Sequence, residues 1–413
     1  MKKVLLVLLL FSVLVNAQTV QYVMPGEDMQ HEGTWLQWPH NFTYPPYLQE
    51  DNEPAFIAMV AALESGENVH IVVYNASEKI HVQQVLTTAN IPLTNIDFYV
   101  HPNDDYWVRD NGPFFVYDTN NDLTILDFGF NGWGGDTQYS LCDAIPALLA
   151  TDLNIPVIDL SAMVLEGGAI EIDGHGSVML TRSSVTAADR NPNLTEMQIE
   201  NFMTTYLGLT NFIWLDGQFG DTLDITDMHI DGFAKFVDST TIVTMSNADL
   251  TYWGLSTSDI TALNSATNAN GDAFSFVTLP LTQNDVVTTW GSNIQFKASY
   301  ANYYVANTVV LVPIYNDPND AAALSILQGI YPSRTVVGID SRNLYFNGGM
   351  VHCVTQQQPE FYYHVSILEE NNENKKLVRV VDVLGRTVEK TKNQLQFYIF
   401  DNGSVEKKIQ INE

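Results

Sequence analysis

The feature that most limits the fold is an alternation of strand-like and helix-like runs that begins near Gly33 and continues to about residue 360. Gly33 to Pro39 reads as a turn leading into an alternating aromatic strand, and Pro54 to Glu64 has helical spacing with Pro at its start. Val69 to Tyr74 is a short apolar run of the kind a buried strand shows, Ser77 to Asn90 is again helical, and Ile96 to Val100 again extended. Extended runs follow at 114–117, 124–128, 169–172, 178–181, 212–215, 233–237, 242–245, 274–279, 309–313 and 336–339. Helical runs fall at 141–150, 195–206, 256–266 and 318–329. The class is therefore α/β. Several strand runs come in close pairs ahead of a helix, which fits repeated ββα-type units better than a simple doubly wound sheet; periodicity alone does not decide between them.

Of the 413 residues 46% are hydrophobic and 11% aromatic, enough for a large core and contrary to a disordered or fibrous chain. Met1-Lys2-Lys3, the apolar run Val4 to Val15 and Asn16-Ala17-Gln18 read as a secretory leader, residues 1–17, cleaved after Ala17. No later segment approaches about 20 uninterrupted apolar residues, so no membrane span is expected in the mature chain. Loss of Lys2 and Lys3 leaves 16 basic against 48 acidic residues, a formal charge of −32. Such a surface repels nucleic acid and attracts cationic small molecules or peptides. Cys142 and Cys353 are too few for a disulfide framework. Cys142, in Tyr139 to Ala144, reads as a small buried hydrophobe on a helix.

A charged linker at 367–376 separates the main domain, 18–366, from a tail, 377–413, that reads as two β-hairpins and forms a separate β module.

Chemistry-bearing residues cluster beside glycines. Cys353 follows Gly348-Gly349 in a short apolar, strand-like run and is the candidate nucleophile. A thiol attacks as thiolate and needs a base or cation nearby. His352 is the tempting partner, but successive strand residues face opposite ways, so its ring is expected to look away from the sulfur. His229 and Asp231 lie two apart and in an extended segment would present a base and an acid to one cavity. Asp221, Asp224 and Asp227 raise a cation site as a competing idea, although their spacing is not that of a calcium loop. Asp104 to Pro113 is rich in polar and aromatic groups; a carboxylate there beside Trp107 suits a flat cation, while an Arg109–Asp110 pair capping a turn is the plainer reading. The Gly-rich loop around Trp133 lacks the Lys and Ser/Thr ending of a phosphate cradle, and Glu166 precedes a Gly-Gly turn.

Trp107 to Pro113, Phe130-Asn131 with Trp133 to Gly135, Glu166 to Gly168, Arg190 to Leu194, His229 to Asp231, Ser299-Tyr300 with Asn302, and Gly348-Gly349 through Cys353 to Pro359 occur together and in order. In this the chain resembles agmatine deiminases and the related bacterial peptidylarginine deiminases, over residues 20 to 360. The resemblance implies a pentein, a five-bladed pseudo-symmetric α/β propeller of the guanidino-modifying type with its site at the centre. It also implies Cys353 as nucleophile, His229 as acid/base, and Asp110 and Asp231 as the carboxylates that grip the guanidinium. Trp107, Glu166, Asn302 and Trp133 are expected to bind substrate or shape the pocket. No metal or organic cofactor is expected. The tail resembles a short type IX secretion sorting domain, which implies export through the periplasm to the outside or cell surface and a secretion machinery as partner; a homo-oligomer is left open.

Between Pro113 and Arg182 the sequence has no Arg or Lys, which favours agmatine over a substrate whose carboxylate needs a cation. Peptidylarginine is the second reading, and an exported binding protein without turnover a third. A papain-like protease is a poorer fit, since its Cys comes early and its His late.

Overall fold

The computed structural model describes residues 21–361 except 44, 46 and 221–223, together with 376–382, 386–389, 395–400 and 405–409. The leader, Asp221 and the linker up to residue 375 lie outside the described residues. The chain divides into two compact units, one ending at Tyr362 and one spanning Tyr363–Glu413. No described helix is long and apolar enough to cross a membrane.

Five sheets of the first unit share one pairing rule: a strand pairs antiparallel with a second, which pairs parallel with a third. The first sheet runs Phe114–Asp118, Leu123–Gly129, Val157–Val164, with the short strand Tyr22–Val23 added antiparallel at the outer edge of Phe114–Asp118. The second is Ile170–Ile172, Ser177–Thr181, Asn211–Leu215, and the third Ala234–Asp238, Thr241–Met245, Ser275–Leu279. The fourth is Tyr304–Val305, Val309–Ile314, Thr335–Asp340. In the fifth, the late strand Gln356–Pro359 lies on the early strand His31–Gln37, which continues into Asn68–Val73 and Ile96–Val100. Antiparallel partners need only a turn between them, whereas each parallel step needs a crossover. Helices Ile145–Leu153, Glu196–Leu207, Thr257–Asn264, Asp320–Ile330, Tyr47–Leu63 and Ala76–Thr88 supply those crossovers. The unit is thus ββαβ, one element longer than the pairs the sequence suggests.

Local chemistry sets many boundaries. Thr195 and Gln198 form a capping box at the start of Glu196–Leu207, and Gly208 ends it at φ +77°. Helix Tyr47–Leu63 starts before Pro54 and runs through it, so Pro54 does not mark its start. It packs Phe56, Met59, Val60 and Leu63 with Leu36, Val69 and Ile71 of the sheet, all fully buried. Each such side chain contributes about 1.5–3 kcal/mol, so burial outweighs the Pro penalty of about 3 kcal/mol. His31–Gln37 is buried along nearly its whole length and does not alternate, because it is an inner strand of a four-stranded sheet.

The feature that builds the site recurs in four of the five sheets. Just before the antiparallel pair stands a tight turn: helix Val108–Asn111 and the 3-10 turns Gly167–Ala169, Ile230–Gly232 and His352–Val354, whereas the fourth sheet is entered through 301–303 without a helical turn.

In the second unit, Leu377–Val381, Leu395–Phe400 and Val405–Ile409 form one antiparallel sheet. The expected first hairpin is seen as a bridge between Val381 and Thr387, with the Asp382 N–H donating to the Arg386 carbonyl and the Val388 N–H to the Val380 carbonyl, both at 2.9 Å.

Candidate active site

Cys353 sits in the 3-10 turn His352–Val354, not in a strand. At about three residues per turn, neighbours fan out by roughly 120° and do not alternate. His352 is therefore not turned out of the site: its Nδ1 lies 2.8 Å from Asp231 Oδ2, the same oxygen that stands 3.8 Å from Cys353 Sγ. Asn302 joins them, with Nδ2 at 3.4 Å from the sulfur and Oδ1 accepting from the His352 backbone N–H at 2.9 Å.

His229 and Asp231 flank the start of a second 3-10 turn, not an extended segment. His229 Nε2 lies 2.7 Å from Glu166 Oε2, and Nδ1 lies 3.7 Å from Asp110 Oδ1. Asp110 accepts from Trp133 Nε1 at 2.9 Å and from the Gly168 backbone N–H at 2.9 Å. Trp133 reaches it from a left-handed backbone, φ +54°, between glycines that also have positive φ. That conformation costs a non-glycine residue about 1–2 kcal/mol, offset here by the buried indole hydrogen bond.

Gly168 lies at the point of convergence. A Cβ on it would come within 2.6 Å of His229 Nδ1, 2.9 Å of Asp110 Oδ1 and 3.1 Å of Asp231 Oδ2. Trp107 makes its contact further back, with its indole against Gly349, so it shapes the turn that carries Cys353. Two sets are thus in direct contact, Cys353 with Asn302 and Asp231, and His229 with Glu166, Asp110 and Trp133; they converge around Gly168, and Trp107 supports the first.

Charge follows from this packing. Burial pushes the Asp110 carboxyl up to about 6, aided by Glu166 and Asp231 and opposed by His229. Burial would lower His229, but Asp110, Glu166 and Asp231 outweigh it and raise the imidazole to about 9. Asp231 is held below the usual carboxylate range because His352, by hydrogen bond and charge, with His229 and Arg109, overcomes the cost of burial. The Cys353 thiol is pushed well up, first by burial and then by Asp231 and Asp110.

Arg109 does not pair with Asp110. Its groups reach Gln357 Oε1 at 2.9 Å, the His352 carbonyl at 3.3 Å and Glu27 at 3.5 Å. Asp227 pairs with Arg190 and Asp224 accepts from the Thr226 and Met228 N–H groups, so neither stands open to a cation. Among the described residues no group of three or more His, Cys, Asp or Glu is arranged to hold a metal ion. Cys142 is buried in a turn, not on a helix; its sulfur accepts from the Asp105 N–H at 3.3 Å, and both cysteines are free.

Three contributors escape a reading of the sequence. Arg190 holds Glu166 Oε1 at 3.1 Å and so orients the carboxylate beside His229. Glu27 meets the far side of the His352 ring at 2.8 Å. His352 itself is misjudged by strand geometry. Arg190 stands in one of the motifs that carry the resemblance, but its contact with Glu166 is not visible there, and no local pattern marks Glu27, whose partner lies far along the chain.

A thiol from one entry turn, an imidazole raised to about 9 with a carboxylate from a second, and an opposed carboxylate from a third define a thiol enzyme for a cationic substrate. The chain belongs to the Porphyromonas-type peptidyl-arginine deiminase family, whose model matches residues 23–359. It is 31% identical over 360 residues to a protein of Selenomonas ruminantium provisionally named an agmatine deiminase, covering 82% of this chain and 96% of that one. A similarly named protein of Latilactobacillus sakei is 32% identical with the same coverage. The solved agmatine deiminase of Enterococcus faecalis is 25% identical, with a TM-score of 0.71 over 82% of this chain and 96% of its own.

Proposed function

We propose that this protein hydrolyses agmatine to N-carbamoylputrescine and ammonia. The observation that carries the reading is the convergence on Gly168 of His229, Asp110 and Asp231, with Cys353 Sγ 3.8 Å from Asp231. A planar guanidinium fits between two carboxylates, which hold it in plane and make its carbon electrophilic. Its positive charge offsets the fields of Asp110 and Asp231, so the thiol loses its proton to solvent as the substrate docks. The thiolate attacks the carbon. Protonated His229 gives its proton to the departing ammonia, which leaves a covalent thiouronium. Neutral His229 then takes a proton from water; the hydroxide adds to the carbon, and the C–S bond breaks to release the ureido product.

Agmatine is favoured over an arginine substrate because the arginines beside the site are engaged. Arg190 is bound to Glu166, Asp227 and the Ile225 carbonyl, and Arg109 to Gln357 and the His352 carbonyl. Neither is available for a substrate carboxylate. Peptidylarginine is the second reading, favoured by the family's own description. The five equivalent sheets support a five-bladed propeller, and the leader and tail support export with a C-terminal sorting module. Incubation with agmatine and with an arginine-terminated peptide, followed by mass analysis of the ureido product, separates the readings. Cys353→Ser is expected to lower turnover by at least about 10³-fold and Cys142→Ser to leave it near wild type; the reverse would sink the assignment.

A further inference from the structure

Asp231 is held from behind. The proton between it and His352 sits on Nδ1, since an ionised carboxylate can only accept. The opposite ring nitrogen, Nε2, lies 2.8 Å from Glu27 Oε2 and 3.2 Å from Lys235 Nζ. Glu27 is itself fixed, with Lys235 Nζ at 3.0 Å from Oε1, the Val305 N–H donating to Oε1 at 2.8 Å, and Arg109 Nη2 at 3.5 Å from Oε2. The His352 backbone is clamped at both ends, by Asn302 Oδ1 and by Arg109 Nε. Asp110 has no counterpart to this; it receives Trp133 and the Gly168 N–H and faces His229 at 3.7 Å.

We propose that Glu27 and His352 form a rear anchor, two positioning residues that keep Asp231 ionised and aimed at the substrate while Asp110 is left to titrate. The groups that face Asp231 are His229 from its own turn, Asp110 and Arg109 from the helix Val108–Asn111, Cys353 and His352 from the last turn, and Gly168 opposite. His352 makes the shortest of these contacts. The two carboxylates are accordingly driven apart, Asp231 downward and Asp110 up to about 6. Such splitting assigns them separate tasks. Asp231 is a constant counter-charge for the cation, and Asp110 is the one whose ionisation gates binding. The catalytic consequence rests on the deiminase reading; the anchor itself does not.

The test uses the two amides that mimic a histidine. Asn places nitrogen near Nδ1 and Gln near Nε2, so His352→Asn keeps the link to Asp231 and His352→Gln loses it. The full-length protein, labelled with carbon-13 at Asp carboxyls, is titrated by NMR without substrate, and the Asp231 signal is assigned with Asp231→Asn. In the wild type Asp231 is expected to titrate below the ordinary value of about 3.9. In His352→Gln its midpoint rises by about one pH unit or more, in Glu27→Gln by less, and in His352→Asn, which keeps the link to Asp231 but loses the one to Glu27, by no more than in Glu27→Gln. With agmatine, kcat/KM of His352→Gln falls on the acid side about tenfold more per pH unit than that of the wild type, as a second carboxylate takes up a proton. An unmoved midpoint in His352→Gln, or equal shifts in the Asn and Gln variants, overturns the anchor. Should His352→Gln not fold, an unmoved midpoint in Glu27→Gln does so. A wild type that turns over no guanidine refutes the deiminase reading, while the titration still decides the anchor.

Discussion

The resting Cys353 thiol is kept un-ionised by burial and by Asp231 and Asp110, the groups proposed to receive the substrate's charge. Substrate binding and thiol ionisation are therefore linked, and the linkage has a sign. In the proposed mechanism Asp110 acts ionised, so activity is expected to drop below about pH 6, and His229 acts protonated, so its contribution is expected to be lost above about pH 9. Between those limits docking expels a proton, and kcat/KM is expected to rise about tenfold per pH unit, flattening above 9 and steepening below 6. A flat plateau from 6 to 9, measured by initial rates of ammonia release, would mean that the thiolate exists beforehand. Glu166 adds to the raised imidazole through a 2.7 Å contact. Glu166→Gln should move the upper break down by about one pH unit, read from the same profile. Cys353, His229, Asp110 and Asp231 are marked as candidates by their place beside glycines, while the roles given to them come from the family resemblance. Glu27 is not so marked, since its partner His352 lies 325 positions away and no periodicity reaches so far.

At the level of elements, the strand and helix alternation is readable because parallel strands buried on both faces carry continuous apolar runs. The entry turns are not. Cys353 and the His229–Asp231 pair read as strand because they adjoin strand-forming residues, yet both stand in 3-10 turns. The first strands that follow these turns are only three to five residues long, so the preceding turn does the aiming. Gly168 shows how close that aiming is. Gly168→Ala places a methyl against His229 and Asp110, and kcat/KM is expected to fall by about 10²-fold or more, with a melting temperature within a few degrees of wild type. Unchanged kinetics would mean that the three groups have room to part.

For the whole molecule, the acidic balance of 48 Asp and Glu against 18 Lys and Arg suits a dication at long range, and its pull should weaken as salt screens it. The site draws only on the first of the two compact units. A chain ended after Tyr362 is expected to turn over agmatine within about twofold of the full-length rate; loss of activity in a folded truncated chain would show that the second unit takes part. The pairing of Gln356–Pro359 with His31–Gln37 joins strands from opposite ends of that unit. The proposed nucleophile is thus the last of the proposed catalytic groups to leave the ribosome, and the strand after its turn is seated against one made among the first. A partly synthesised chain holds the carboxylates and the imidazole but no warhead, so the reactive centre comes into being only when synthesis of the unit is finished.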